Sequence, residues 1–164
     1  MPEKQTIKRA REDTREGKSP STQAGEFVRE EIHHIREGKH GARSAQQAIA
    51  IGLSKARRAG VKLKAPNKGT ASEETRRAAA RDVKKGRSGR KKTSARRSRA
   101  MLKRLKREGR SAASPQALAK QARSAARRRS AASKSASAKK GARTKGPAKR
   151  RAAAKKAART RARR

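Results

Sequence analysis

The chain has 164 residues, with 52 lysines and arginines against 12 aspartates and glutamates, which gives a formal net charge of +40. Aromatic residues make up 1% and cysteine is absent, so a large apolar core, disulfides and thiolate metal sites are excluded. The chain has no apolar run of about 20 residues, as a membrane span requires, and its first residues do not resemble a signal peptide. We therefore expect a cytoplasmic protein.

The charge is distributed unevenly along the chain. Residues 1–37 hold eight acidic and eight basic side chains, whereas the remaining residues hold 44 basic and four acidic ones, with no acid after Glu108. Long blocks of one sign are typical of interaction tails, and basic blocks bind polyanions. This predicts a small N-terminal head followed by a basic region that binds nucleic acid.

The clearest helical pattern covers Thr22–Glu37, whose apolar residues recur at spacings of three and four: Ala24, Phe27, Val28, Ile32 and Ile35. Ser19 and Pro20 supply a cap and first turn, and Gly38 ends the helix. Three acids of this helix, Glu26, Glu30 and Glu31, are interpreted as surface partners of bases such as Arg29.

A second helix is predicted from Ser44 to Ala59. Ser44 and Gln47 form a capping box, and Gly60 is the stop. Gly52 lies on the apolar stripe, where the missing side chain allows another helix to approach closely. The linker of residues 38–43 is short enough for an antiparallel helical hairpin.

The rest of the chain has little apolar content. Residues 62–70 are interpreted as a linker, and a short helix is expected from Ser72 to about Lys84. Residues 94–108 and 115–129 favour helix but have thin apolar stripes, so we expect them to be marginal alone and helical on binding a polyanion. The predicted fold class is all-α, with domains 1–66 (helical head), 67–93 (charged linker with a short helix), 94–129 (conditional basic helix pair) and 130–164 (disordered Lys/Arg/Ala tail).

The basic residues are the candidate binding site. From Arg110 onwards 20 bases occur with no acid, and a fully helical tail would span roughly 80 Å along the phosphates. The alternatives are a solvated tail and a membrane-binding tail. For membrane binding, the tail lacks the large apolar side chains of an interfacial helix. The predicted contacts are Lys55, Arg57, Arg58, Arg96, Arg97, Arg99, Lys103, Arg104, Arg127, Arg128, Arg129, Lys139, Lys140, Lys149, Arg150, Arg151, Lys155, Lys156, Arg163 and Arg164.

Two further surfaces of the head remain open to interpretation. Gln46 and Gln47 of the second helix either read base edges in a major groove or belong to an ordinary solvated face. A metal site from the three histidines with Glu30 or Glu37 is conceivable, but adjacent His33 and His34 point about 100° apart on a helix. We therefore predict no metal and no cofactor. Because no catalytic motif occurs, we also expect no enzymatic activity.

Part of the sequence resembles a known group of proteins. The stretch from Ser19 to His34, the following Gly-Lys-His-Gly and the later Gly-Leu-Ser-Lys-Ala-Arg-Arg-Ala-Gly resemble a family of short, basic bacterial proteins commonly labelled DNA-binding. The resemblance covers residues 1–66. The tail, through Ala-Ala-Ala-Lys-Lys-Ala-Ala-Arg at 152–159, resembles bacterial histone-H1-like proteins in composition. Together they imply a nucleoid-associated bacterial protein.

The expected function is largely sequence-independent DNA binding through phosphate contacts. An RNA- or ribosome-associated role is the alternative, because phosphate contacts alone do not separate RNA from DNA. In a third interpretation the head binds a protein partner or a second copy of the chain, and the tail only localises it. The expected location is the cytoplasm, at the nucleoid, with no membrane partner.

Overall fold

The structure, a computed structural model, describes residues 2–88 and 94–162. All regular elements in this part of the chain are helical, which confirms the all-α class. They are α1 (Lys4–Arg15), α2 (Pro20–Arg36), α3 (Ala45–Arg58), α4 (Glu73–Arg87), α5 (Ala95–Lys106), a 3-10 turn (Ser111–Ala113), α6 (Pro115–Arg128) and α7 (Ala131–Ala162). Two compact units divide the chain, Met1–Gln121 and Ala122–Arg164.

The predicted helix starts and stops of the head are confirmed. The hydroxyls of Ser19, Ser44 and Ser72 each accept the backbone N–H three residues further on, at 3.4, 3.2 and 3.2 Å. Such caps satisfy backbone donors that the first helical turn leaves without partners. Gly38 and Gly60 follow α2 and α3 with φ of 76° and 94°, a left-handed conformation that residues with a Cβ rarely adopt.

Helices α2 and α3 form the predicted antiparallel hairpin at the centre of the head. Gly52 of α3 is buried against the backbone of Val28, and a Cβ on Gly52 would lie 2.7 Å from Val28 Cα. The helices are thus as close as the absence of that side chain permits, which confirms the expectation for Gly52.

Helix α1 is an element that the sequence analysis did not predict. It packs on α2, where Ile7 and Ala10 meet Phe27, and Leu63 from the segment after α3 closes the same cluster. The buried face of α1 is otherwise polar, because it carries Thr6 and Asp13. With so few apolar residues, α1 has no clear hydrophobic stripe in the sequence.

A second cluster joins the head to residues far along the chain. Ala112 and Ala113 of the 3-10 turn pack with Ile32 and Ile35 of α2, together with Ala42, Ala48 and partly buried Leu118. The Gly41 and Ala42 N–H groups donate to the carbonyls of Leu105 and Gly109, at 2.9 and 3.0 Å. The compact unit therefore includes segments well beyond the predicted head of residues 1–66.

The expectation that residues 94–108 and 115–129 become helical only on a polyanion is wrong, because α5 and α6 are formed in the structure of the chain alone. Gly41 of the α2–α3 linker lies where no side chain would fit, because a Cβ there would collide with the Glu108 carbonyl oxygen. These backbone contacts hold the end of α5 in place, and Ser114 caps α6 by accepting the Ala117 N–H at 3.2 Å. Tertiary contacts thus stabilise the end of α5 and the start of α6, which the thin apolar stripes of these helices would not stabilise alone.

Helix α4 packs on α3 within the segment predicted as a charged linker with a short helix. Asp82 of α4 accepts a hydrogen bond from Ser54 at 2.6 Å and from Arg58 at 2.8 Å. Gly86 lies against the Arg57 carbonyl, where a Cβ has no room. Residues 89–93 of the predicted linker lie outside the described residues.

The expectation of disorder for residues 130–164 is also wrong for the part that the structure describes. Residues 131–162 are helical as α7, with a break at Gly146 (φ 69°, ψ 170°) directly before Pro147. Alanine, lysine and arginine have high helix propensities, and the Ser130 hydroxyl caps the first turn at 3.2 Å. No residue of α7 is buried. Among the described helices, none has the length and apolar character needed to cross a membrane.

Two glycine substitutions test the close packing of α2 on α3. Gly52→Ala should destabilise the protein by about 1–3 kcal/mol, because the strain of overpacking exceeds the helix-propensity gain of about 1 kcal/mol. Gly25→Ala in α2 is the matched control, since a Cβ there meets nothing within 4 Å. It should stabilise by roughly 0.5–1 kcal/mol. Urea unfolding of the full chain measures both, and equal effects would contradict the close approach.

Candidate nucleic-acid interface

The three predicted contacts on α3 are used inside the fold. Lys55 is the clearest case, since its Nζ lies 2.6 Å from Glu31 Oε2 and 3.5 Å from Glu30 Oε1, and its side chain is 22% exposed. Both carboxylates come from α2, so this ion pair joins the two helices of the hairpin. A phosphate would have to displace them, which makes Lys55 a structural residue.

Arg57 and Arg58 are engaged as well. Arg57 is 8% exposed, and its Nε has no hydrogen-bond partner among the described residues. Burial lowers the pKa of the Arg57 guanidinium, and the nearby Asp82 carboxylate opposes that shift. Arg58 Nε donates to Asp82 Oδ1 at 2.8 Å, although more than half of its side chain remains exposed. Of the three predicted contacts on α3, only Arg58 therefore keeps a surface that a ligand can approach.

The interpretation of Glu30 and Glu31 as surface partners is wrong. Glu31 is fully buried and Glu30 is 6% exposed. Glu30 Oε2 accepts the Glu3 N–H at 3.1 Å, and Lys55 supplies the positive charge that makes the burial tolerable. Glu26 and Arg29 form the expected pair on one helix, at 3.1 Å.

Two histidines, His34 and His40, lie close to the buried carboxylate of Glu31. One ligand atom from each of Glu31, His34 and His40 lies within 4.8 Å of the others. His34 Nε2 is 2.8 Å from Glu3 Oε1, a contact that lowers the pKa of Glu3. His33 is exposed. The structure thus gathers histidines from α2 and from the linker, a pairing that the spacing of His33 and His34 did not reveal.

Helix α5 presents a continuous basic face. Arg96, Arg99, Lys103 and Lys106 recur at spacings of three and four, and all of them are exposed. Arg97 and Arg104 form a second exposed row beside them. The remaining side of α5 carries Met101 and Leu102, which are 57% and 43% exposed. None of these bases has an acidic partner among the described residues, so their charge is available.

The predicted contacts further along the chain are also exposed. Within the unit that begins at Ala122, Arg128 and Arg129 donate only to oxygens of neighbouring serines, which leaves their charge uncompensated. The exposed bases of this unit that the sequence analysis named are Arg127, Arg128, Arg129, Lys139, Lys140, Lys149, Arg150, Arg151, Lys155 and Lys156. Arg163 and Arg164 lie outside the described residues.

Groups that read or stack bases are scarce on this surface. The single aromatic side chain of the sequence, Phe27, is 1% exposed in the head. Gln47 Oε1 accepts the Arg43 N–H at 3.0 Å, so this glutamine serves the start of α3. Gln46 is exposed. The exposed charged side chains of α5 and of the described part of the unit that begins at Ala122 are all cationic.

Removal of the Lys55 charge tests its structural role. Lys55→Met should destabilise the full chain by about 3–5 kcal/mol, because it leaves buried carboxylates without their counter-charge. Lys62→Met is the control: the residue is exposed, and the change should stay within about 0.5 kcal/mol. Thermal unfolding at equal protein concentration compares them. Similar effects of the two substitutions would show that Lys55 is a surface cation after all.

Comparison with known proteins gives no relative for this chain: no family model, no curated protein and no solved structure matches it. The properties of the exposed basic surface are therefore inferred from the residues of this chain alone.

Proposed function

We propose that this protein is a non-enzymatic nucleic-acid-binding protein that prefers DNA and grips it through phosphate contacts, largely without regard to sequence. The observation that carries the proposal is α7. This helix of 32 residues contains 12 lysines and arginines, no acid and no buried residue. A run of cations of this length without an acid is typical of a segment that contacts a polyanion.

The charge density of α7 suits a duplex. The part after the break, residues 147–162, is about 24 Å long at 1.5 Å per residue and carries seven bases. Duplex DNA presents one charge per about 1.7 Å of axis, so roughly 14 phosphates lie along that length. Lys149, Arg150 and Arg151 point in directions about 100° apart. Cations on every side of the helix contact phosphates on both walls of a groove.

Helix α5 adds a surface of a different kind. Its basic residues form one face, and the head holds its C-terminal end through the linker hydrogen bonds. A fixed cationic face binds one phosphate strand and orients the head on the nucleic acid. Such contacts position a protein without reading bases.

The helical form of the basic segments favours DNA over RNA. A helix with its side chains is about 10–12 Å across and enters the major groove of B-DNA, which is about 12 Å wide. The major groove of A-form RNA is deep and too narrow for side chains to read, and recognition of single strands relies on aromatic stacking. With Phe27 buried, that second route lacks a Phe, Tyr or Trp platform among the described residues.

The physiological role that fits these contacts is a nucleoid-associated, histone-H1-like one. The resemblance of residues 1–66 to short basic bacterial proteins labelled DNA-binding, and of the tail to histone-H1-like proteins, supports the same reading. An RNA- or ribosome-associated role is the second candidate, because phosphates are common to both nucleic acids.

Salt dependence tests the phosphate contacts. If six to ten phosphates are engaged, affinity for a random duplex should fall roughly 10³- to 10⁵-fold between about 50 and 200 mM salt. A chain ending at Arg129 loses 14 bases and should show a much smaller slope. Fluorescence anisotropy with labelled DNA measures both.

Two full-length variants serve as controls for the truncation. Changing the 14 bases after Arg129 to Gln keeps length and helix propensity, and it should reduce the slope as the truncation does. Scrambling residues 130–164 keeps composition and should leave the slope unchanged. A flat salt dependence of the intact chain would exclude phosphate contact as the main source of affinity.

Competition between nucleic acids separates the two candidate roles. Unlabelled duplex DNA should displace the labelled duplex at lower concentration than double-stranded RNA of equal length and charge. If RNA competes better, the ribosome- or RNA-associated role replaces the DNA one, and the groove-width argument is wrong.

A further inference from the structure

The head contains a cluster of potential metal ligands that phosphate binding does not use. Glu31 and His34 lie three residues apart on α2, and His40 comes from the linker to α3. The carboxylate is fully buried, and the side chains of the two histidines are 12% and 10% exposed. One ligand atom of each residue lies within 4.8 Å of the other two.

The proton positions of His40 leave an unbalanced contact. His40 Nδ1 lies 3.1 Å from the Gly41 carbonyl oxygen, which only accepts, so Nδ1 carries a proton. In a neutral ring, the lone pair of Nε2 then faces Glu31 Oε1 at 3.4 Å. Two electron-rich atoms would meet in a buried place, and Glu31 Oε1 has no hydrogen-bond donor in the described part of the chain. A positive charge belongs between them.

The spacing of these two atoms fits a bound ion. Zinc binds histidine nitrogen and carboxylate oxygen at about 2.0–2.2 Å, and the edge of such a tetrahedron is roughly 3.4 Å long. The His40 Nε2 to Glu31 Oε1 distance of 3.4 Å has that length. Lys55 Nζ holds the other carboxylate oxygen at 2.6 Å, so Oε1 is directed toward the histidines.

Both histidine rings also have the outer partners that metal ligands usually have. The Gly41 carbonyl fixes one nitrogen of His40, and the Glu3 carboxylate contacts His34 Nε2 at 2.8 Å. Carbonyl and carboxylate partners of this kind orient imidazole ligands and raise their basicity. Ring orientation is thus set before an ion arrives.

We propose that Glu31, His34 and His40 form a site for a divalent transition-metal ion of the zinc type. Two imidazoles and one carboxylate suit zinc better than magnesium, which prefers oxygen ligands. The ion would tie α2 to the α2–α3 linker, whose Gly41 and Ala42 hold the end of α5 and the turn after it. This inference goes beyond the proposed nucleic-acid binding and does not depend on it.

The test uses the full chain without a histidine tag, freed of nucleic acid in high salt and of metal by a chelator. Co²⁺ should give the intense visible absorption of a tetrahedral site, and Zn²⁺ should abolish that absorption by displacing the Co²⁺. Calorimetry with Zn²⁺ should give one ion per chain, and the melting temperature should rise with Zn²⁺ but not with equal Mg²⁺. No DNA is present, so the outcome is independent of the proposed function.

Histidine variants locate the ion. His34→Ala and His40→Ala should each weaken Zn²⁺ binding by at least about 10- to 100-fold, because even loss of an outer partner has an effect of that size. His33→Ala, a change of an exposed histidine on the same helix, should bind as the unaltered chain does. If His40→Ala unfolds, His40→Asn keeps a donor for the Gly41 carbonyl and removes the imidazole ligand.

Two results would overturn the proposal. One is the absence of Zn²⁺ binding by the folded chain, which would mean that contacts within the protein alone hold Glu31, His34 and His40 together. The other is an equal loss of affinity in the His33, His34 and His40 variants, which would indicate loose binding to surface histidines.

Discussion

The buried ion pair between Lys55 and the adjacent carboxylates of Glu30 and Glu31 is the constraint on which the head depends. It lies between α2 and α3, which of the described helix pairs have the most extensive contact. Charges taken out of water are tolerated only when they meet partners in a fixed geometry. The pair therefore links α2 to α3 at a fixed position, and the hairpin in turn contacts α1, α4 and the 3-10 turn.

The same constraint explains where the charge of the protein is free. Every ion pair among the described residues falls between residues 3 and 82, where most of the acids are. Acids of residues 3–82 pair with nearby bases, whereas the bases of α5, α6 and α7 have no ion-pair partner among the described residues. Folding and the proposed nucleic-acid binding thus use largely separate sets of charges, with Arg58 belonging to both.

Much of this architecture was predictable from the sequence, because caps, glycine stops and apolar spacing are local signals. Ser19, Ser44 and Ser72 start helices as expected, and Gly52 marks the close contact between α2 and α3. Helix α1 was missed because its buried face includes Thr6 and Asp13, and burial of polar residues depends on partners elsewhere in the chain. The buried ion pair of Lys55 was missed for the same reason. Its acidic partners lie more than twenty residues away in the sequence, so no local pattern distinguishes Lys55 from an exposed lysine. Disorder of residues 130–164 was expected from their low-complexity composition, whereas the helix propensity of alanine, lysine and arginine prevails in the structure.

The break in α7 at Gly146 and Pro147 limits how far a straight cationic segment extends. An unbroken helix of 32 residues would be about 48 Å long, whereas the grooves of a duplex complete a full turn in about 34 Å. A rigid rod of that length would leave the curving path of a groove before its own end. With Pro147 unable to donate to the preceding turn and Gly146 in a left-handed conformation, the helix is divided into two segments shorter than one turn of DNA. If α7 binds a duplex as proposed, each segment is short enough to follow the local direction of the groove, and the break allows the second segment to take a different direction.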